Sequence, residues 1–208
     1  MNVSILLAHP NPGSFNHALA AAVVAAAETE GHRARLNDLY AEGFDPVFTA
    51  NELSNKNPAL PPEIARHEGE ILEADGLVFI HPNWWGQPPA ILKGWLDRVL
   101  RAGTAYRFGP DAKGIPGPIG LLKARFMLVL NTSNTPDDVE TARYGDPLEG
   151  LWRKAIAGFL GIPSFDRINF GPIITSTPKD RENWLTAAGD AAKKIMIRAS
   201  GPPLAPRQ

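Results

Sequence analysis

Three short runs with almost no polar residue, at 3–8 (VSILLA), 76–81 (GLVFIH) and 126–131 (FMLVLN), constrain this chain more than any other feature. A strand without polar alternation is buried on both faces, and such strands belong to parallel sheets covered by helices on each side. The intervening sequence supplies those helices. Residues 16–30 are alanine-rich and end at Gly31, a helix-stop position. Residues 61–74 open on two prolines, and in 89–101 the apolar Ile91, Leu92, Trp95, Leu96 and Val99 recur at three- and four-residue steps. Residues 148–160 and 181–199 predict two further helices. Residues 33–39 predict a second strand with one exposed side, and 167–170 a short fifth strand. Five strands alternating with helices call for a doubly wound α/β sheet of order 2-1-3-4-5. At 208 residues the chain suits one core. We therefore expect a single domain over 1–199 and a Pro-rich, disordered tail over 200–208.

Composition narrows the chemistry. There is no cysteine, which excludes disulfides, thiolate nucleophiles and Cys-based metal sites and fits a reducing compartment. A formal net charge of −1 gives the chain no electrostatic reason to seek nucleic acid or anionic lipid. The longest apolar run, 18–27, is well short of the ~20 residues of a membrane span, and the first residues read as a strand rather than a signal peptide. These readings place the protein in the cytoplasm, with no membrane insertion. No G-x-G-x-x-G follows a strand, no P-loop or G-x-S-x-G elbow is present, and the five histidines lack metal-site spacing. Gly114, Gly117 and Gly120 read as part of a Pro-rich loop.

In such sheets ligands sit outside the carboxyl ends of the strands, where strand order reverses. The segments that follow strands one, three and four are 9–18 (HPNPGSFNHA), 81–89 (HPNWWGQPP) and 130–136 (LNTSNTP), and not one of their residues is Asp, Glu, Lys or Arg. Their Asn, Ser, Thr, His and Trp suit hydrogen bonding to a neutral heteroaromatic ring and packing on its face. The first segment runs into a helix N-terminus, where free N–H groups favour an anion, with His9, Ser14 and Asn16 as added donors. Plain N-capping by Ser14 or Asn16 accounts for the same residues. Trp84 and Trp85 point to different sides, so one is expected to cover core and the other to stack on a planar ligand. Asn131, Thr132, Ser133 and Asn134 offer donors to the same crevice or make a solvated turn. A redox function without Cys or metal must borrow an organic cofactor.

With these segments in view, the chain resembles a known family. His9-Pro10-x-x-x-Ser14-Phe15-Asn16-x-Ala18-Leu19, Asp38-Leu39-Tyr40 with Phe44-Asp45-Pro46, Pro82-Asn83-Trp84-Trp85, and the block from Pro89 through Lys93-Gly94-Trp95 to Val99 are similar to the NAD(P)H dehydrogenase (quinone) family of flavodoxin-like flavoproteins. The resemblance implies a homodimer that binds FAD, or FMN as in some relatives. It also implies that NADPH or NADH donates a hydride for two-electron, ping-pong reduction of quinone-type acceptors. By the same resemblance His9, Ser14, Phe15 and Asn16 would hold the cofactor phosphates. Pro82, Asn83, Trp84 and Trp85 would line the flavin ring, and Asn131, Thr132, Ser133 and Asn134 would approach its pyrimidine side. Trp85, Tyr106 and Phe108 would contact substrate, with Tyr106 reaching across the dimer interface. The family's His-Gly-Asp reads Tyr144-Gly145-Asp146 here, making Tyr144 the candidate proton donor. Some family members serve instead as ancillary subunits of potassium-efflux systems, the alternative reading from another functional class.

Overall fold

The computed structural model describes residues 1–54, 59–111 and 114–201. Its central sheet has five parallel strands in the order β2-β1-β3-β6-β7. These are β1 (Asn2–Leu7), β2 (Arg33–Asp38), β3 (Gly76–Pro82), β6 (Phe126–Thr132) and β7 (Ser164–Phe170). The expected 2-1-3-4-5 order is therefore present, with β6 and β7 as its fourth and fifth strands. β3 and β6 are buried at every position, as their unbroken apolar runs require.

Helices cover both faces. α1 (Phe15–Thr29) and α7 (Pro178–Ser200) bury Leu19, Val23, Ala188 and Ile195 against Val3, Ile5, Leu7, Val78 and Leu128. α3 (Pro62–Glu73), α4 (Ala90–Val99) and the π-helical segment Gly150–Gly158 cover the alternate residues Leu6, Phe79 and Val129 with Ile64, Ile71, Leu92, Trp95 and Trp152. Alanine spacing lets α1 lie close on the sheet. Gly94 does the same for α4: a Cβ there would overlap the carbonyl oxygen and Cβ of Pro46.

Several boundaries depart from the sequence reading. The Pro-rich stretch is a two-stranded antiparallel hairpin, β4 (Tyr106–Pro110) and β5 (Pro116–Gly120). It stands apart from the main sheet, where proline's missing N–H costs no ladder bond. α2 (Ala50–Ser54) and α5 (Asp137–Tyr144) were not anticipated, and the segment from 148 begins as one turn, α6 (Pro147–Glu149), before widening to π geometry. α7 starts three residues early because Thr177 and Asp180 form a reciprocal capping box. It ends at Ser200, inside the expected tail, whose residues 202–208 lie outside the described residues.

Candidate functional site

β1, β3 and β6 end on one edge, and order reverses between β1 and β3, so their outgoing loops diverge around a crevice. The cleft there measures about 820 Å³, within the range of small-molecule sites. His9, Ser14, Phe15, Asn16, Pro82, Asn83, Trp84, Trp85, Thr132, Ser133, Asn134 and Tyr144 line it. Asn131, Tyr106 and Phe108 do not. Asn131 is buried within the sheet, donating to Asn169 and accepting from Arg167 Nε. Tyr106 and Phe108 lie on the hairpin, where their rings cluster with Phe159.

Thr132 ties the three loops together. Its hydroxyl accepts from the amide of buried Asn16 at 3.0 Å, and its carbonyl accepts the Asn83 N–H at 2.6 Å. Other side chains of the β6 loop are used internally. Ser133 Oγ donates to the Thr135 carbonyl, and Asn134 Oδ1 accepts from the Ile174 N–H. The donors this loop was expected to offer a ligand are thus partly committed to its own shape.

At the first loop, Asn11 Oδ1 accepts the Gly13 N–H, and α1 begins with no side-chain cap from Ser14. The N–H groups of Phe15 and Asn16 have no acceptor among the described residues. Capping by Ser14 or Asn16 therefore does not explain these residue types. Ser14 Oγ instead meets His17 Nδ1 at 2.8 Å, and His17 Nε2 meets Asp38 at 3.0 Å. The Phe15 ring packs on Phe170 and Trp184, so what this residue offers a ligand is its free N–H rather than its ring. Burial lowers the pKa of His9, whose Nδ1 accepts from the Asn11 N–H, leaving Nε2–H as its donor.

Neither tryptophan of the second loop covers core; that role falls to Trp95 and Trp152. Trp84 and Gln87 exchange both backbone hydrogen bonds around Trp85-Gly86, a two-residue turn. Both central residues have positive φ, 57° and 69°, the type I′ pattern that Asn-Gly normally fills. A tryptophan held there costs roughly 1–3 kcal/mol of backbone strain. Its side chain is 101% exposed at the mouth of the cleft, so burial does not offset that cost. Gly86 suits its position doubly, since its φ is left-handed and a Cβ would meet the Pro147 ring at 3.0 Å.

Two charged residues were missed from the sequence. Glu140 of α5 is buried against the cleft, and its Oε1 accepts from Asn83 Nδ2 at 3.1 Å. Arg181 of α7 reaches the α1 end, held by Ser176 Oγ at 2.9 Å and lying 6.0 Å from the Phe15 ring. Only the fold brings these helices to the strand edge, and no local pattern marks either residue. The site residues fit a flavin: uncharged loops for the ring, and free N–H groups with a guanidinium for phosphate. Among the described residues no His/Asp/Glu group could hold a metal, and no helix is long and apolar enough to cross a membrane.

Comparisons agree with this geometry. A family model described as flavodoxin-like fold matches residues 1–195. An uncharacterized NAD(P)H oxidoreductase of Haemophilus influenzae is 41% identical over 61% of this chain and 61% of its own length. The chain thus spans less than two thirds of that relative. The ribosyldihydronicotinamide dehydrogenase [quinone] of Mus musculus is 33% identical over 93% of this chain and 91% of its own. The solved NAD(P)H:quinone oxidoreductase of Methanothermobacter marburgensis superposes with a TM-score of 0.81 at 27% identity, covering 94% and 97% of the two chains. This chain belongs to the flavodoxin-like NAD(P)H dehydrogenase (quinone) family.

Proposed function

We propose that the protein is a flavin-dependent NAD(P)H oxidoreductase that reduces quinone-type acceptors by two electrons. One observation carries this reading: three uncharged loops converge on a cleft whose α1 end presents two free N–H groups and Arg181. A bound flavin would supply the two-electron redox chemistry, with the overall balance that quinone, NAD(P)H (NADH or NADPH) and a proton give hydroquinone and NAD(P)⁺. The relatives named for NAD(P)H and quinone support the same chemistry.

The chain's own groups divide the work. Phe15 and Asn16 N–H, with Arg181, bind phosphate; a guanidinium beyond the helix end, in addition to the N–H groups, suits the diphosphate of FAD, with FMN the smaller alternative. Asn83 and Trp84 hold the ring, and Trp85 stacks on a planar acceptor at the mouth. Proton donation to the acceptor is assigned to the Tyr144 hydroxyl, a reading supported by the position of Tyr144 at the exposed end of α5 in the cleft lining.

Tyr106 and Phe108 suit a homodimer in which each hairpin covers the partner's cleft, since Phe108 is 69% exposed and lies outside its own. Use of NAD(P)H fits a cytoplasmic setting. Calorimetry with FAD and FMN, followed by turnover of a quinone panel with NADH and NADPH, tests the reading. Micromolar or tighter flavin binding and ping-pong kinetics are expected. Absence of binding by either flavin would remove the proposal.

A further inference from the structure

We infer that Glu140 is a positioning residue that holds Trp85 at the mouth of the cleft, acting through Asn83. Trp85 needs such support because a bulky residue is strained in the left-handed backbone the turn imposes, and its wholly exposed side chain gains no burial to offset that strain. The support can be followed atom by atom. Asn83 Oδ1 accepts the Gly86 N–H at 2.9 Å, closing the Trp84–Gln87 turn from its open side. Asn83 Nδ2 donates to Glu140 Oε1 at 3.1 Å, and the Asn83 N–H is anchored on Thr132.

These two side-chain partners fix the amide. Rotating it by half a turn would set Nδ2 against the Gly86 N–H and Oδ1 against a carboxylate oxygen. One Nδ2 proton and Oδ1 are thereby committed, which leaves the second Nδ2 proton for a ligand. Glu140 is itself buried and carried by α5, and Pro147, just beyond that helix, seats Gly86. Strand end, turn and α5 form one unit, with the carboxylate as its link.

The consequence for catalysis rests on quinone reduction as the function; the consequence for the turn does not. In the flavin-free protein, Glu140→Ala should lower hydrogen-exchange protection of the Gly86 amide by about tenfold, while amides within β3 stay unchanged. Glu140→Gln keeps an acceptor oxygen and should restore protection. In the holoenzyme, Glu140→Ala should raise KM for a naphthoquinone by about tenfold, and most of that effect should vanish in a Trp85→Ala background. Should Glu140→Ala fail to fold, Asn83→Asp, which keeps an acceptor for Gly86 but loses the donor to Glu140, should show the same loss of protection. Unchanged Gly86 protection, or a KM effect of full size in the Trp85→Ala background, overturns the inference. A wild-type protein that reduces no quinone removes the functional reading and leaves the exchange experiment to decide the role of Glu140.

Discussion

The indole N–H of Trp152 donates to Nε2 of His81 at 3.0 Å, in the middle of the core beneath the cleft. Because indole only donates, Nε2 must accept, and the imidazole proton sits on Nδ1, facing the Pro82 carbonyl at 2.8 Å. Protonation of His81 would break the first of these bonds and leave a charge without solvent. Burial accordingly holds its pKa down at about 4, and burial followed by the charge of Arg66 does the same for His67, also to about 4.

Stability should therefore fall in mild acid. Both imidazoles titrate near 6.5 in the unfolded chain, so between about pH 6.5 and 4 that state binds protons the folded state refuses. Their contribution is complete above pH 6.5 and is lost as pH falls toward 4, with a slope of up to about 1.4 kcal/mol per pH unit for each. Urea midpoints at pH 7.5, 6 and 5 check this. A midpoint independent of pH across that range would contradict it.

Trp85→Asn should separate site from scaffold. It places Asn-Gly in the turn, relieving the left-handed strain, so stability should hold or rise by about 1 kcal/mol. Loss of a stacking face should lower kcat/KM for quinones by about tenfold, the equivalent of roughly 1.4 kcal/mol. Thermal unfolding and steady-state kinetics on this one variant read both. A loss of about 3–5 kcal/mol, typical of core aromatics, would mean that the side chain is buried in solution.

Gly94→Ala sets two effects against each other. Helix propensity favours alanine by about 1 kcal/mol. The added methyl, however, meets the backbone of Pro46, which cannot move aside as a flexible side chain would. Overpacking of this kind costs about 1–3 kcal/mol, so net destabilisation is expected. Chemical denaturation measures it, and a more stable variant would show that α4 and the Phe44-Asp45-Pro46 segment are not held this close.

Arg181→Met should weaken binding of FMN and FAD by about five- to tenfold, about 1–1.4 kcal/mol, and flatten its salt dependence. Lumiflavin, which has no phosphate, should bind both forms equally. An equal loss for all three flavins would assign Arg181 to the ring rather than the phosphate.

Much of the fold was legible because its strands are unambiguous. VSILLA, GLVFIH and FMLVLN each lack the polar alternation of a half-exposed strand, and each is followed by helical periodicity, which leaves little besides a covered parallel sheet. The same order put the ends of β1, β3 and β6 side by side, so His9, Asn16, Asn83 and Thr132 could be assigned to one crevice from sequence. The hairpin at Tyr106–Pro110 and Pro116–Gly120 was not legible, since prolines and glycines that break a central strand are tolerated in a free-standing one. Asn131 was misplaced for a different reason: in an alternating strand end, one residue decides between cleft and core, and Arg167 and Asn169 draw it inward.

The parallel sheet and the edge on which its loops meet thus follow from local sequence, because burial on both faces is written in continuous apolar runs. Which side chains complete the cleft depends instead on how distant elements pack. Glu140 and Arg181 arrive on helices distant in sequence, and the exposure of Trp85 follows from a left-handed turn seated on Pro147 and tied to Asn83. Those outcomes depend on packing between elements, and no local pattern of residues encodes it.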